Sequence, residues 1–312
     1  MPNAGKEYFL AIDAGGTKTL MVLADQENEL ARTTTGSIKR LRVGADEAMQ
    51  NLEAGLNILV EQSGVSPKAI TRTCVGTSGV SVAMVVDWIH DALGKLVSGK
   101  VLICGDEVIA LDGAFHGGPG TLVIAGTGQN TIGRDSTGRL VGIGGWGPAL
   151  GDEGSGLWIG QQALRRIFRS LDEQGSDRTP PRLMQCIMDH WKLHTVEELV
   201  GYANQTPPPD FAALTPLVVA CANEGDIVAA GVLRSAGEEL AALLLLVYKQ
   251  LRKWEPETLP PVACTGSVLQ NIPQVRDSMT ATLQAVYPEI KVLPGVVDAV
   301  LGALWRARNG IE

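Results

Sequence analysis

A short apolar strand that breaks at a glycine turn and resumes as a second strand occurs twice in this chain, and that repetition constrains the fold more than any other feature. Tyr8-Phe-Leu-Ala-Ile12 runs into Asp13-Ala-Gly-Gly-Thr-Lys-Thr19 and then Leu20-Met-Val-Leu-Ala24. The pattern returns as Thr121-Leu-Val-Ile-Ala125, Gly126-Thr-Gly-Gln-Asn130 and Thr131-Ile-Gly-Arg134, followed by the turn Ser136-Thr-Gly138 and a further strand, Leu140-Val-Gly-Ile143. Short β-branched runs bounded by glycine and polar residues read as strands joined by turns. Two such units so far apart point to an internal duplication, one opening each of two lobes. At 312 residues the chain exceeds the usual reach of one hydrophobic core. We expect an N-terminal lobe over 1–118 and a larger one over 119–312, with a cleft between them.

Within the first lobe the patterning predicts a helix from Asp46 to Gln62, a strand at Thr71 to Val75, a helix near Val82 to Leu93, and a strand Val101 to Cys104 that enters another helix. Alternation of this kind gives an α/β lobe with a mixed sheet. Beyond Gly156 the reading turns helical: Leu157 to Leu171, Pro181 to His190, Phe211 to Glu224 and Ile227 to Trp254, interrupted by a Pro207-Pro-Pro209 loop. A last strand, Pro261 to Cys264, precedes Thr265-Gly-Ser-Val268, and a terminal helix from Gly295 to Arg308 is expected to pack back on the first lobe.

Hydrophobic residues make up 45% of the chain and charged residues 19%, the balance of a globular protein. The formal charge of −8 and the lack of a Lys/Arg run argue against a nucleic-acid or anionic-membrane partner, since both need a concentrated positive patch. The longest apolar run, Leu240 to Val247, is too short to span a bilayer and reads as a buried helix. Met1 to Glu7 lacks the apolar core of a signal peptide. Five cysteines without a CxxC pair suit a reducing, cytoplasmic setting.

Glycine turns let backbone N–H groups converge on a phosphate. Gly15, Gly16 and Thr17 offer one such nest, with Lys18 and the hydroxyls of Thr17 and Thr19 beside it, and Asp13 is expected to hold Mg²⁺ through water. Gly126, Thr127 and Gly128 offer a second. A nucleotide gripped by two lobes needs one turn from each. Neither turn has the GxxxxGK[ST] or GxGxxG spacing, which sets P-loop and dinucleotide folds aside.

With these turns, the run Gly144-Gly-Trp-Gly-Pro-Ala-Leu-Gly-Asp-Glu-Gly-Ser155 resembles the GGWG…GDEGS hallmark of N-acetylglucosamine kinases. The chain is similar, over nearly its full length, to those sugar kinases within the BadF/BadG/BcrA/BcrD ATPase family, which also holds ATPase activators of benzoyl-CoA reductase and 2-hydroxyglutaryl-CoA dehydratase. The resemblance implies a two-lobed actin/hexokinase-like (ribonuclease H-like) α/β fold with mixed five-stranded sheets. It also implies ATP with Mg²⁺, a homodimer, and phosphorylation of an amino sugar, N-acetylglucosamine at its 6-hydroxyl ahead of glucosamine. By the same resemblance Asp106 is the catalytic base, although an aspartate at a strand-to-helix junction can also be a helix cap. Ser78, Asn130, Gly145, Trp146, Gly147 and Asp152 match sugar-contacting positions, and Glu153 suits the start of the following helix. Gly266, Ser267, Asn271 and Ala212 match the adenosine pocket.

Where many of these kinases carry an Asn in a Ser-x-Asn segment, this chain reads Ser37-Ile-Lys-Arg-Leu-Arg42. Lys39, Arg40 and Arg42 either stand solvated or pair with an acidic substituent on the sugar. An ATPase activator would need two cysteines per subunit for a bridging iron–sulfur cluster, with Cys74 and Cys104 on expected strands. A silent sugar sensor of the same fold is a further reading, against which Asp13, Thr17, Asp106 and Thr127 all speak. His190 and His194, four apart on an expected helix beside Asp189, have zinc spacing but lack HExxH or a cysteine partner.

Overall fold

A computed structural model describes residues 6–176 and 178–311; most of the stretch read for a targeting signal lies outside them. The chain forms two compact units: Met1–Gly120 with Val297–Glu312, and Thr121–Val296.

In the first unit, β1 (Tyr8–Ala14), β2 (Lys18–Ala24), β3 (Glu29–Gly36), β4 (Ile70–Thr77) and β5 (Lys100–Cys104) form one sheet in the order β3-β2-β1-β4-β5. β1, β4 and β5 run parallel, while β2 and β3 are antiparallel to their neighbours. Central β1 alternates its side chains between two cores, as the two-residue period of a strand requires. Leu10 and Ile12 join Leu52, Leu56 and Leu59 of α2 (Ala45–Ser63) and Ile89 and Leu93 of α3 (Ala83–Leu96), the two long helices that follow a single turn at α1 (Arg40–Val43). Phe9 and Ala11 join Ile109 of α4 (Asp106–Phe115) and Val300, Ala303 and Ala307 of a terminal helix. Burial on both faces is why this strand reads as an unbroken apolar run.

In the second unit, β6 (Gly120–Ala125), β7 (Gln129–Arg134), β8 (Leu140–Gly144) and β9 (Val262–Thr265) form a sheet in the order β8-β7-β6-β9. Five strands are expected from the resemblance; here the fifth position is a lone parallel bridge, Val262 to Val292. Pro294 follows two residues later and cannot extend the ladder. The helices are α5 (Gly156–Gln174), α6 (Arg182–Trp191), α7 (Val196–Ala203), α8 (Thr215–Asn223), α9 (Ile227–Trp254), α10 (Ser267–Asn271) and α11 (Pro273–Val286). In α9, Leu240, Ala241, Leu244 and Val247 are buried, as the apolar run predicts. No single helix among the described residues is long and apolar enough to cross a membrane. The chain then returns to the first unit as α12 (Ala299–Asn309), where a Cβ on Gly302 would stand 1.8 Å from the Ile109 carbonyl oxygen. Only glycine permits that approach of α12 to α4.

Candidate active site

Strand register collects the first set of groups. Asp13 on β1 lies opposite Gly76 on β4, which lies opposite Cys104 on β5. The residues just beyond these partners therefore emerge at one edge, the carboxyl ends of three parallel strands: the Gly15–Gly16 turn, Ser78 and Asp106. Open α/β sheets bind ligands at such an edge. Asp106 opens α4 at its first helical position, after Gly105 as the cap residue, and its Oδ1 accepts the Glu107 backbone N–H at 3.1 Å. A cap role belongs to neither carboxylate.

Burial first, then the nearby charge of Asp106, pushes the Asp13 carboxyl up to about 6, while Lys39 and Lys18 pull it down. Burial, then a hydrogen bond shared with Asp106, pushes Glu107 up to about 7. Mutually repelling carboxylates are relieved by a hard cation, and Mg²⁺ accepts one or two carboxylates with water and phosphate completing its shell. Asp13 fits that demand. No cluster of three His, Cys, Asp or Glu that could hold a metal exists among the described residues.

The Gly15–Lys18 turn leaves Thr17 and Lys18 exposed. Thr19 differs from expectation: it is fully buried, and its hydroxyl accepts the Ile38 N–H at 3.2 Å, so it fastens the next loop and faces no phosphate. Ser37 donates to the Gly15 carbonyl at 3.0 Å, drawing the Ser37–Arg42 segment onto the turn.

In the second unit, Gly126 and Thr127 line a cavity of about 400 Å³ together with Ala212, Ser267 and Asn271. Five of the residues expected around ATP thus meet at one opening. Gly266 has φ +96°, and a Cβ there would lie 2.3 Å from the Ala125 carbonyl oxygen, so the turn before α10 is open only to glycine. Gly128 sits over Asp152, whose Oδ1 accepts the Gln129 N–H at 3.0 Å. Asp152 is buried, with φ +67°. Its carboxylate braces the Gly126–Gly128 turn through Oδ1. Ser155 caps α5, its Oγ accepting the Trp158 N–H at 3.2 Å, so Glu153 does not take that role.

Trp146 is 74% exposed between Gly145 and Gly147, both left-handed. Asn130 lies directly under Gly145 and spends its Oδ1 on the Thr131 N–H at 2.8 Å. The expected sugar residues thus divide by unit: Ser78 and Asp106 belong to the first, Asn130, Gly145, Trp146, Gly147 and Asp152 to the second.

Two basic residues lie against residues expected at the site. Lys39 Nζ donates to Ser78 Oγ at 2.6 Å. Arg42 reaches over the phosphate turn, with Nη1 2.8 Å from where a Cβ on Gly16 would stand. Arg40 remains exposed. Sequence left all three undecided because their direction depends on how α1 folds against the turn. Elsewhere, the Cys74 thiol donates to Cys104, and that bond, then burial, holds Cys74 far above the usual thiol range. Such an internal pair does not suit a cluster bridging two subunits. α6 ends at Trp191, Lys192 takes a left-handed conformation, and the His194 N–H binds Glu198, so His190 and His194 do not share a helix face.

A model of the BadF/BadG/BcrA/BcrD ATPase family matches residues 10–307. The chain is 29% identical over 310 residues to the N-acetylmuramic acid/N-acetylglucosamine kinase of Clostridium acetobutylicum, covering 97% of this chain and 99% of that protein. It is 30% identical over 320 residues to the N-acetyl-D-glucosamine kinase of Dictyostelium discoideum, covering 97% and 98%. Among solved structures, a Chromobacterium violaceum protein provisionally named an N-acetylglucosamine kinase superposes with a TM-score of 0.71 at 26% identity, covering 96% and 98%. A ROK family glucokinase from Streptomyces griseus shares the fold at 15% identity, with a TM-score of 0.58 over 98% and 100%.

Proposed function

This chain belongs to the BadF/BadG/BcrA/BcrD ATPase family, and from that premise we propose that it is an ATP-dependent kinase of an amino sugar, with N-acetylglucosamine phosphorylated at its 6-hydroxyl. The alignment of Asp13, Ser78 and Asp106 at neighbouring parallel strand ends carries the reading. It supplies a base, a hydroxyl partner for the acceptor and a cation-holding carboxylate together.

The adenosine moiety takes the cavity between Ala212, Ser267 and Asn271. Gly15, Gly16, Thr17 and Lys18 in the first unit, and Gly126, Thr127 and Gly128 in the second, each serve as a phosphate-binding turn. Trp146 offers an exposed ring face to a sugar, with Gly145, Gly147 and Asn130 shaping its loop. Asp106 accepts the proton of the acceptor hydroxyl as that oxygen bonds to the γ-phosphorus, and the bond to the β–γ bridging oxygen breaks to leave ADP. Asp13 is the residue that would hold Mg²⁺, which when bound supplies neutralisation of phosphate charge. Glu107, hydrogen-bonded to Asp106, keeps that carboxylate in place. Asp152 acts through the Gly126–Gly128 turn that it braces. A cytoplasmic setting and a homodimer complete the reading, supported by the free cysteines and by the resemblance respectively.

The test is ADP formation from ATP with glucosamine, N-acetylglucosamine, N-acetylmannosamine, N-acetylmuramic acid and glucose. Sugar-stimulated release with an N-acetylated hexosamine is expected; ATP turnover indifferent to every sugar would overturn the reading.

A further inference from the structure

In the second unit, α6 and α8 hold two thiols that the reaction as derived leaves unused. Cys221 on α8 is buried and donates to Cys186 Sγ on α6 at 3.3 Å, while Cys186 itself is only half-buried. The start of α6 is also tied to the end of α8: Arg182 pairs with Glu224, and the Leu183 N–H donates to Asp226 Oδ2 at 2.9 Å. Bringing the sulfurs to the roughly 2.05 Å of a disulfide takes a relative movement of about 1.3 Å, which packed helices make by shear.

The surroundings divide the pair into an attacking and a resolving sulfur. Burial, then the bond to Cys186, pushes the Cys221 thiol up to about 12, so it keeps its proton. Cys186 is the sulfur within reach of solvent, and Arg182, one turn earlier on α6, is hydrogen-bonded to it. A cation thus stands beside the sulfur that must carry negative charge to attack an oxidant. The other close pair cannot follow this course. Cys74 is the register partner of Leu102, and Cys104 that of Gly76. A strand spacing of about 4.8 Å and a two-residue rise of about 6.6 Å put their Cα atoms about 8 Å apart, beyond the roughly 7 Å that a disulfide tolerates.

Helix α8 also leads to the adenosine cavity, which Thr215, Pro216 and Val219 line. Cys221 stands about 200° around the helix from Val219, so drawing α8 toward α6 moves its cavity-lining face away from a bound nucleotide. We propose that Cys186 and Cys221 form a peroxide-sensitive dithiol whose closure to a disulfide loosens the adenosine cavity. The Cys186 thiolate attacks a hydroperoxide oxygen; the S–O bond forms as the O–O bond breaks, and the alcohol or water leaves with the proton that Cys186 gave up. The Cys221 sulfur then bonds to the sulfenic sulfur of Cys186, and its proton departs with the displaced hydroxide as water. Two thiols are oxidised by two electrons, and one hydroperoxide is reduced. The loosening rests on the kinase reading; the disulfide does not.

The experiment treats the full chain with hydrogen peroxide, alkylates it in denaturant, maps its peptides by mass spectrometry, and measures ATP affinity by calorimetric titration before and after. A disulfide joining Cys186 to Cys221 is expected, with Cys74, Cys104 and Cys264 alkylated, and dithiothreitol should restore all five thiols. The ATP dissociation constant should rise about fivefold, the lower end of coupling between linked sites, and return on reduction. Cys186→Ser should abolish both the disulfide and the change in affinity. Cys221→Ala should abolish the disulfide but leave on Cys186 a sulfenic acid that dimedone captures. Cys186 and Cys221 both alkylated after peroxide, or a disulfide between Cys74 and Cys104 in their place, overturns the site. A Cys186–Cys221 disulfide with unchanged ATP affinity overturns the coupling alone. Absence of ATP binding in either state overturns the kinase reading and, with it, the coupling, whatever the peptide map shows.

Discussion

Burial, and after it the like charge of Asp106 two strands away, raises the Asp13 carboxyl and sets the pH range in which the site can work. Because the Asp13 carboxyl sits near 6 when folded and near 3.8 as an ordinary side chain, the folded protein holds this proton more tightly than the unfolded chain. Its contribution to stability is present below 3.8 and lost as pH rises toward 6, whereas the charged form that a cation needs is lost as pH falls through 6. A pH series of kcat/KM should show an acid limb near 6, and Asp13→Asn should remove that limb along with most activity. Asp106→Asn should lower kcat by about 10² to 10⁴-fold, while thermal denaturation shows a Tm within a few degrees of the parent. That Asp13, Gly15, Gly16 and Asp106 stand at strand ends was legible, because each position is marked by a few adjacent residues. Lys39 and Arg42 were not, since the direction of a long side chain is decided by the surface beneath it. The bracing bond of Asp152 was not legible either, because its backbone partner, Gln129, lies far from it in sequence.

At the level of elements, the sequence announced strands through burial and helices through period, and it failed where neither signal was strong. β3 alternates polar and half-buried residues at a sheet edge, and α7 is set by a capping box, Thr195 with Glu198, around a single buried leucine. α11 starts at Pro273, which reads as a breaker unless it is placed in a first turn. The turn between β9 and α10 was legible as Thr-Gly-Ser, though not the reason for its glycine. Gly266→Ala should cost about 3 kcal/mol, from strain at positive φ and collision with the Ala125 carbonyl. Thermal denaturation together with nucleotide titration checks this, with ATP affinity expected to fall along with Tm. Ser155→Ala should cost about 1 kcal/mol through loss of the α5 cap.

For the whole molecule, the repeated hairpins disclosed two units because each is a local signal, while the partner of α12 lies almost the entire chain away. The apolar spacing of Val300, Ala303, Leu304 and Ala307 was readable as one helix face; that it meets Phe9, Cys74 and Ile109 is a matter of tertiary packing alone. Arg306 Nη1 meets Asp112 Oδ2 at 2.6 Å in this interior, and Arg72 donates to the Ala307 and Arg308 carbonyls. Arg306→Met removes the cation paired with the buried Asp112 carboxylate and should cost about 3–5 kcal/mol, read as a lower urea midpoint for the first unit. Adding Asp112→Leu should recover part of it.

That closing helix also orders events in time. Until residues from Val297 onward have left the ribosome, one apolar face of the sheet bearing Asp13 has only Ile109 of α4 against it and lacks the cover of α12, although every strand was made long before. The later-made unit, Thr121–Val296, owes nothing to such a latecomer. The half translated first is thus the half that matures last, and holdase chaperones should find their grip on Phe9, Ala11 and Cys74.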